Sequence, residues 1–209
     1  RSDRRNHLFC GLDFHLLKID IKELINLIPA VDTIVPMLKS FEGKAEFHIA
    51  AETYLNSLYE PKMSTLRAAA ALEGKDLVLL DSETFSTIAK YLMFSKKTKN
   101  IVDSLSVEMT VFRNEIDIYP FLISMDKWQA VLSGRHTLDN NFNYHISLTD
   151  CPLPVRLGLD VKGNFDDMKF KLVPCQYKAL YKPEKRKPTD ERILSLKKLI
   201  SDALKENVK

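Results

Sequence analysis

The chain has 209 residues, with 31 Lys+Arg against 28 Asp+Glu, a formal net charge of +3, and 45% hydrophobic and 9% aromatic residues. A chain of this length buries roughly 70% of its unfolded surface, so a core forms without metal or disulfide staples. The charged share of 28% excludes a disordered chain, six Gly and nine Pro exclude collagen-like and low-complexity classes, the small net charge gives no field for nucleic acid, and no run of 18 apolar residues exists to span a bilayer.

Leu8, Cys10, Leu12, Phe14 and Leu16 alternate with other residues, which predicts a strand over about 7–19. Asp20 is placed to cap a short helix carrying Leu24, Ile25, Leu27 and Ile28. Pro29 and Pro36 punctuate a second helical stretch with Val31, Ile34, Val35 and Leu38; both pieces are too short to stand alone and must pack on a sheet. A strand follows at 44–54, where Ala45, Phe47, Ile49 and Ala51 alternate with polar side chains. After Pro61, residues 63–73 contain the block Ala68 to Ala71, helical on propensity; strand is preferred, with Gly74 and Lys75 turning into Leu77-Val78-Leu79-Leu80. Asp81 or Ser82 starts a helix over 82–95, with Phe85, Ile88, Ala89 and Leu92 on one face and Lys96, Lys97 and Lys99 at its end.

From about 104 to 174 the pattern is consecutive strands. Val107, Met109 and Val111 share one parity, Arg113-Asn114-Glu115 turns the chain, and Ile116 and Ile118 return. Pro120 shifts the parity to Phe121 and Ile123, which calls for an edge or a bulge because Pro donates nothing to a ladder. Trp128, Ala130 and Leu132 form the next strand, able to run on to Leu138, and Asp139-Asn140-Asn141 turns it. Phe142, Tyr144, Ile146 and Leu148 alternate cleanly; after Pro152 and Pro154 come Val155 to Val161, then a Gly163-Asn164 turn into Met168, Phe170 and Leu172. The connections are hairpin-length, so the sheet is expected to be an antiparallel meander. Lys178 to Pro188 reads as a charged linker whose basic run, Lys182 to Lys187, is a solvated stretch. Thr189 or Asp190 then caps a helix with Ile193, Leu196, Leu199, Ile200, Ala203 and Leu204 at helical spacing.

The expected fold is therefore α+β and mainly β: a curved antiparallel meander, groove-like or partly open, with a few covering helices and a C-terminal helix. It divides into a strand–helix–strand unit at 1–62, a β-meander with one inserted helix at 63–177, a basic linker at 178–188 and an amphipathic helix at 189–209.

No catalytic arrangement stands out. There is no G-x-S-x-G, P-loop, G-x-G-x-x-G or H-E-x-x-H. Cys10, Cys151 and Cys175 show no metal spacing; Cys151 and Cys175 pair only if their strand ends are adjacent, and buried free thiols are the plainer reading. His136 and His145 flank the Asp139 turn and approach one another if the hairpin brings them together, but solvent-facing strand histidines explain them as well. Asp166-Asp167 is a carboxylate pair in a turn, where Asp favours local hydrogen bonds. Trp128 reads as a core anchor before a ligand contact. No enzyme, cofactor, metal or catalytic residue is expected.

The meander supplies one apolar face, and few helices remain to cover it. Either the sheet curls around its own core, or its concave face holds an apolar guest. The floor of such a groove is Val107, Met109, Val111, Ile116, Ile118, Trp128, Leu132, Phe142, Tyr144, Ile146 and Leu148. The second alternative is a β-scaffold that docks a protein partner through its edges or its C-terminal helix.

Several stretches also carry a resemblance. Leu72-Glu73-Gly74-Lys75-Asp76-Leu77-Val78-Leu79-Leu80-Asp81 leads into a helix; Ile101 to Val107 and the Arg-Asn-Glu turn lead to Ile116-Asp117-Ile118-Tyr119-Pro120-Phe121; Val131-Leu132-Ser133-Gly134-Arg135-His136-Thr137-Leu138-Asp139 and Phe142 to Leu148 follow. This succession, over about 70–175, resembles the C-terminal region of AsmA-like proteins, relatives of TamB and the bridge-like lipid transfer proteins. The resemblance rests on a rhythm of strands and turns. It implies a module in the periplasm of a Gram-negative bacterium, belonging to a protein anchored in the inner membrane outside this excerpt. The implied partner is phospholipid or another apolar chain, with an envelope protein as a second one through the C-terminal helix. The implied role is inter-membrane lipid transport or outer-membrane biogenesis. The chain begins at Arg1, as an excerpt or a processed product would.

Overall fold

A computed structural model describes residues 8–28, 31, 35–80, 87–88, 90–91, 101–125, 128–150, 156–164, 166–177 and 198. They build a single ten-stranded antiparallel sheet. Its strands are β1 (Leu8–Asp20), β2 (Phe41–Glu42), β3 (Lys44–Leu55), β4 (Arg67–Leu79), β5 (Ile101–Phe112), β6 (Glu115–Met125), β7 (Trp128–Thr137), β8 (Phe142–Asp150), β9 (Leu157–Gly163) and β10 (Met168–Pro174). The spatial order is β1-β3-β4-β5-β6-β7-β8-β9-β10, with β2 beside β4, so β1 and β10 are edges and the sheet is not closed. The meander expected from the hairpin-length connections is present, and it continues through β3 and β4 across residue 62.

Local chemistry accounts for most boundaries. Asp20 is the N-cap of α1 (Ile21–Leu27), its carboxylate accepting the Lys22 N–H at 2.9 Å. Ile21 and Leu24 point into the core, while Leu27 is 62% exposed. The second helical stretch keeps a 3₁₀ turn at Pro36–Ser40, begun by the proline. Arg113 and Asn114 both have positive φ and make the tight β5–β6 turn. At Pro120 the β6–β7 register shifts between Ile118 and Phe121: a bulge in an interior strand, not an edge.

One turn is corrected. Gly74 and Lys75 do not reverse the chain; β4 runs through them, pairing Gly74 with both Ala45 and Leu105. A Cβ at Gly74 would lie 2.7 Å from the Leu77 side chain, so glycine is there to let Leu77 fold over the apolar face. The irregularity sits at Asp76, whose φ is +52°, between the Lys75–Ser104 and Leu77–Val102 pairs. The helix expected over 82–95 is helical at 87, 88, 90 and 91 and otherwise lies outside the described residues, as do the linker and the C-terminal helix apart from residue 198. No helix of the described residues is long and apolar enough to cross a membrane.

Cross-strand partners share a face. The register therefore aligns Phe47, Leu72, Val107 and, further along, Met109–Ile118 and Leu132–Ile146–Leu159 on one apolar face. These side chains form a continuous core with α1, Val31, Leu38, Phe41 and Ile88. The opposite face carries His15, His48, Glu73, Glu108, Asp117, Arg135, His145 and Asp160, with partners in the same cross-strand register.

Candidate functional site

All eleven side chains expected to floor a groove are buried and belong to the one core cluster. Parity and register put them on one face, as the alternation requires. Seven of them (Val107, Met109, Val111, Ile116, Ile118, Trp128 and Leu148) are packed as core, and Ile116 and Leu148 are wholly excluded from solvent. The other four (Leu132, Phe142, Tyr144 and Ile146) line a cavity of about 40 Å³.

That cavity lies over β7–β10. Val161 and Met168 complete its floor, and Met37, Ile88 and Asn140 approach from the connecting segments. Met37 belongs to the chain that leads into β2, and Met168 to the edge strand β10, so residues attached to opposite halves of the sheet line one cavity over the apolar face. No Asp, Glu, Lys or Arg is among the described lining residues, and the wall is almost wholly apolar. Two of its polar members serve each other: the Tyr144 hydroxyl and His136 Nδ1 share a buried hydrogen bond of 2.7 Å. Burial pushes the Tyr144 phenol well above its ordinary pKa, so it is neutral at any physiological pH. Gly134 lies under the Tyr144 ring, where a Cβ would also come within 2.7 Å of the Asn143 carbonyl oxygen.

The histidines differ from expectation. His136 and His145 are both buried, at 2% and 7% exposure, rather than solvent-facing. The hairpin does not bring them together: His136 pairs with Phe142 on the apolar face and His145 with Ser133 on the polar face. A difference of nine residues puts two strand positions on opposite faces once the turn is counted. Among the described residues no three His, Cys, Asp or Glu side chains gather as a metal-holding group. Cys10 and Cys175 are free thiols, and Cys151, the other half of the expected pair, lies outside the described residues. Asp166 and Asp167 donate their backbone N–H groups to Asn164 Oδ1, which is a turn motif.

Two clusters on the polar face escaped the sequence reading. On β1 and β3, His15 and His48 stack at 4.6 Å between ring centroids, His15 bonding Glu46 at 2.6 Å and His48 bonding Asp13 at 2.9 Å. On β8 and β9, His145 Nδ1 lies 2.7 Å from Asp160 Oδ1, and His145 Nε2 lies 2.7 Å from Ser147 Oγ. The order Asp–His–Ser is that of a nucleophilic triad. Ser147 is, however, completely buried, and its oxygen accepts the backbone N–H groups of Gln176 at 3.0 Å and Tyr177 at 3.2 Å. Both lone pairs are engaged, so in this arrangement the hydroxyl is structural and not a nucleophile. The i, i+2 spacing of His145 and Ser147 signals a shared face; only the β8–β9 register adds Asp160.

Comparison of the chain with protein-family models, with curated proteins and with solved structures finds no match.

Proposed function

We propose that this chain is a non-enzymatic β-module that holds an acyl chain against its apolar face. The setting that the AsmA-like resemblance implies is inter-membrane phospholipid transport or outer-membrane biogenesis in the periplasm, in a protein anchored elsewhere in its sequence. The supporting observation is the cavity over β7–β10: an apolar hollow, free of charged lining among the described residues, under an unclosed sheet. The mechanism is partition without a covalent step, worth ~0.8 kcal/mol per CH₂ removed from water. A cavity of about 40 Å³ accepts only the end of a chain. Deeper insertion requires Met37, Ile88 and Met168 to move aside, and unbranched methionine repacks readily. The floor residues expected from the sequence then divide by role, with Leu132, Phe142, Tyr144 and Ile146 touching the guest first.

Native mass spectrometry with lipid extraction, on protein purified from a bacterial envelope without detergent, tests this. Phospholipid at near-stoichiometric level is expected. Val161→Phe, which fills the hollow from its floor, is expected to stay folded and lose the lipid. A clean apo mass for the wild type, or lipid retained by a folded Val161→Phe, overturns the reading. A second reading has its own observation: the 13-residue edge strand β1 exposes Leu8, Leu12, Phe14 and Leu17, and such an edge recruits protein partners. A co-purifying envelope protein with no lipid would favour that scaffold role.

A further inference from the structure

We propose that Asp160, His145 and Ser147 form a proton-operated latch, which holds residues 175–177 on the polar face of the sheet while His145 is neutral and releases them when it is protonated.

The argument is an accounting of hydrogens. Ser147 Oγ has two lone pairs and one hydrogen. The lone pairs take the N–H groups of Gln176 and Tyr177, so the hydrogen goes to His145 Nε2. Nε2 is then an acceptor, and the ring carries its single proton on Nδ1, donated to Asp160. Every atom is served, and only the neutral imidazole fits. A second proton would sit on Nε2 and point at an oxygen with no lone pair left, while the serine hydrogen would lose its acceptor. Either the histidine stays neutral or at least one of the two N–H groups leaves Ser147 and its hydroxyl turns away, which breaks the hold on the strap.

The surroundings are built for the closed state. Gly158 pairs with Ser147 on β9, and a Cβ there would lie 2.6 Å from the Pro174 carbonyl oxygen and 3.0 Å from His145 Cε1. The Tyr177 hydroxyl and Ser133 Oγ bond at 3.1 Å, and the Tyr177 ring is tilted beside His145. Cys175 Sγ bonds the carbonyl of Tyr177 within the same strap.

The charged groups around His145 determine the direction of the switch. Asp160 is its bonded partner on β9, through Nδ1, the nitrogen that faces away from Ser147. Register places Lys171 of β10 opposite Asp160, and Arg135 of β7 and Lys162 of β9 both opposite Asn143, two residues along β8 from His145. Arg135 is held by Asp117 and Glu115. Ser133, Tyr177 and Cys175 are the remaining polar neighbours. What differs between the states is Ser147: its oxygen is saturated when the strap is down and has a lone pair for Nε2–H when the strap is up. Protons therefore bind the open state better, and the open population grows as pH falls.

The test is amide hydrogen exchange by NMR on the whole chain from about pH 8 to about pH 5, where histidine changes charge. Protection of the Gln176 and Tyr177 amides, corrected for intrinsic exchange, is expected to fall on acidification, with a slope approaching about tenfold per pH unit, the limit for one proton taken up on opening. β7–β8 ladder amides are expected to keep theirs. His145→Gln has no titratable ring and is expected to show flat protection at whatever level it sets. Flat wild-type protection overturns the latch. So does a pH slope that survives in His145→Gln, or a parallel loss in the β7–β8 ladder, which would mean general unfolding.

Discussion

Removing one oxygen at the cavity wall separates what the Tyr144–His136 pair does for stability from what it does for a guest. Tyr144→Phe leaves the ring in place over Gly134 and deletes only the hydroxyl that shares a 2.7 Å bond with His136 Nδ1. His136 is 2% exposed, so bulk water does not reach the place of the lost partner. The cost is that of stranding a buried polar atom, about 1–3 kcal/mol, and about 2 kcal/mol is expected at a site this enclosed. For a chain in this size range that lowers Tm by ~4–8 °C. A second signature is alkaline. The ordinary tyrosine pKa is about 10, and burial raises that of Tyr144 in the native state. Above about pH 10 the unfolded chain therefore loses a proton that the native chain keeps, and stability falls by up to ~1.4 kcal/mol per pH unit from this group. Tyr144→Phe removes that increment, so the gap between the two proteins narrows as pH rises. Thermal and urea unfolding at about pH 7 and about pH 10.5 read both effects. Lipid capture is expected to persist in the variant, because the hydroxyl is already spent on His136. An unchanged midpoint at neutral pH would refute the buried bond, and a gap that widens with pH would refute the sign of the titration.

Other consequences follow from single positions. Glu52 buries its Oε2 without a hydrogen-bond partner, and desolvation raises its carboxyl pKa against a smaller opposing pull from Arg67. Stability therefore increases as pH falls through the raised value, where the native state holds the proton more tightly than the unfolded one. Glu52→Gln is expected to be at least as stable as wild type at neutral pH, with the advantage vanishing in acid; denaturation midpoints at about pH 7 and about pH 4 decide it. Gly134→Ala drives a methyl into the Tyr144 ring and toward the Asn143 carbonyl, at 2.7 Å from the latter. A loss of about 1–3 kcal/mol is expected from the overpacking, and an unchanged midpoint in urea would show that the ring moves aside freely.

Much of this architecture follows from period alone. Alternation in Val107–Val111, Phe142–Leu148 and Ala45–Ala51 specified strands and the parity of their buried side chains, because a β-strand turns every second residue to the same face whatever its neighbours. Asp20 as a cap, the Arg113-Asn114 turn and the break at Pro120 were equally legible, since each depends on the backbone chemistry of one or two residues. Pairing depends on partners far apart in the chain, and there the local signals ran out. Gly74 looked like a turn because glycine permits one; the structure uses its missing side chain to admit Leu77. His136 and His145 looked like exposed strand histidines, yet each is buried against partners that adjacent strands supply. The division of the eleven apolar side chains into seven core residues and four cavity-lining ones was likewise invisible, because parity names a face but not what lies above it. Sequence by itself determined the strands and their two faces, through interactions within a few residues. Tertiary structure alone decided the register that joins Asp160 to His145 and the placing of Met37 and Met168 around one cavity, because both depend on how distant strands align and curl.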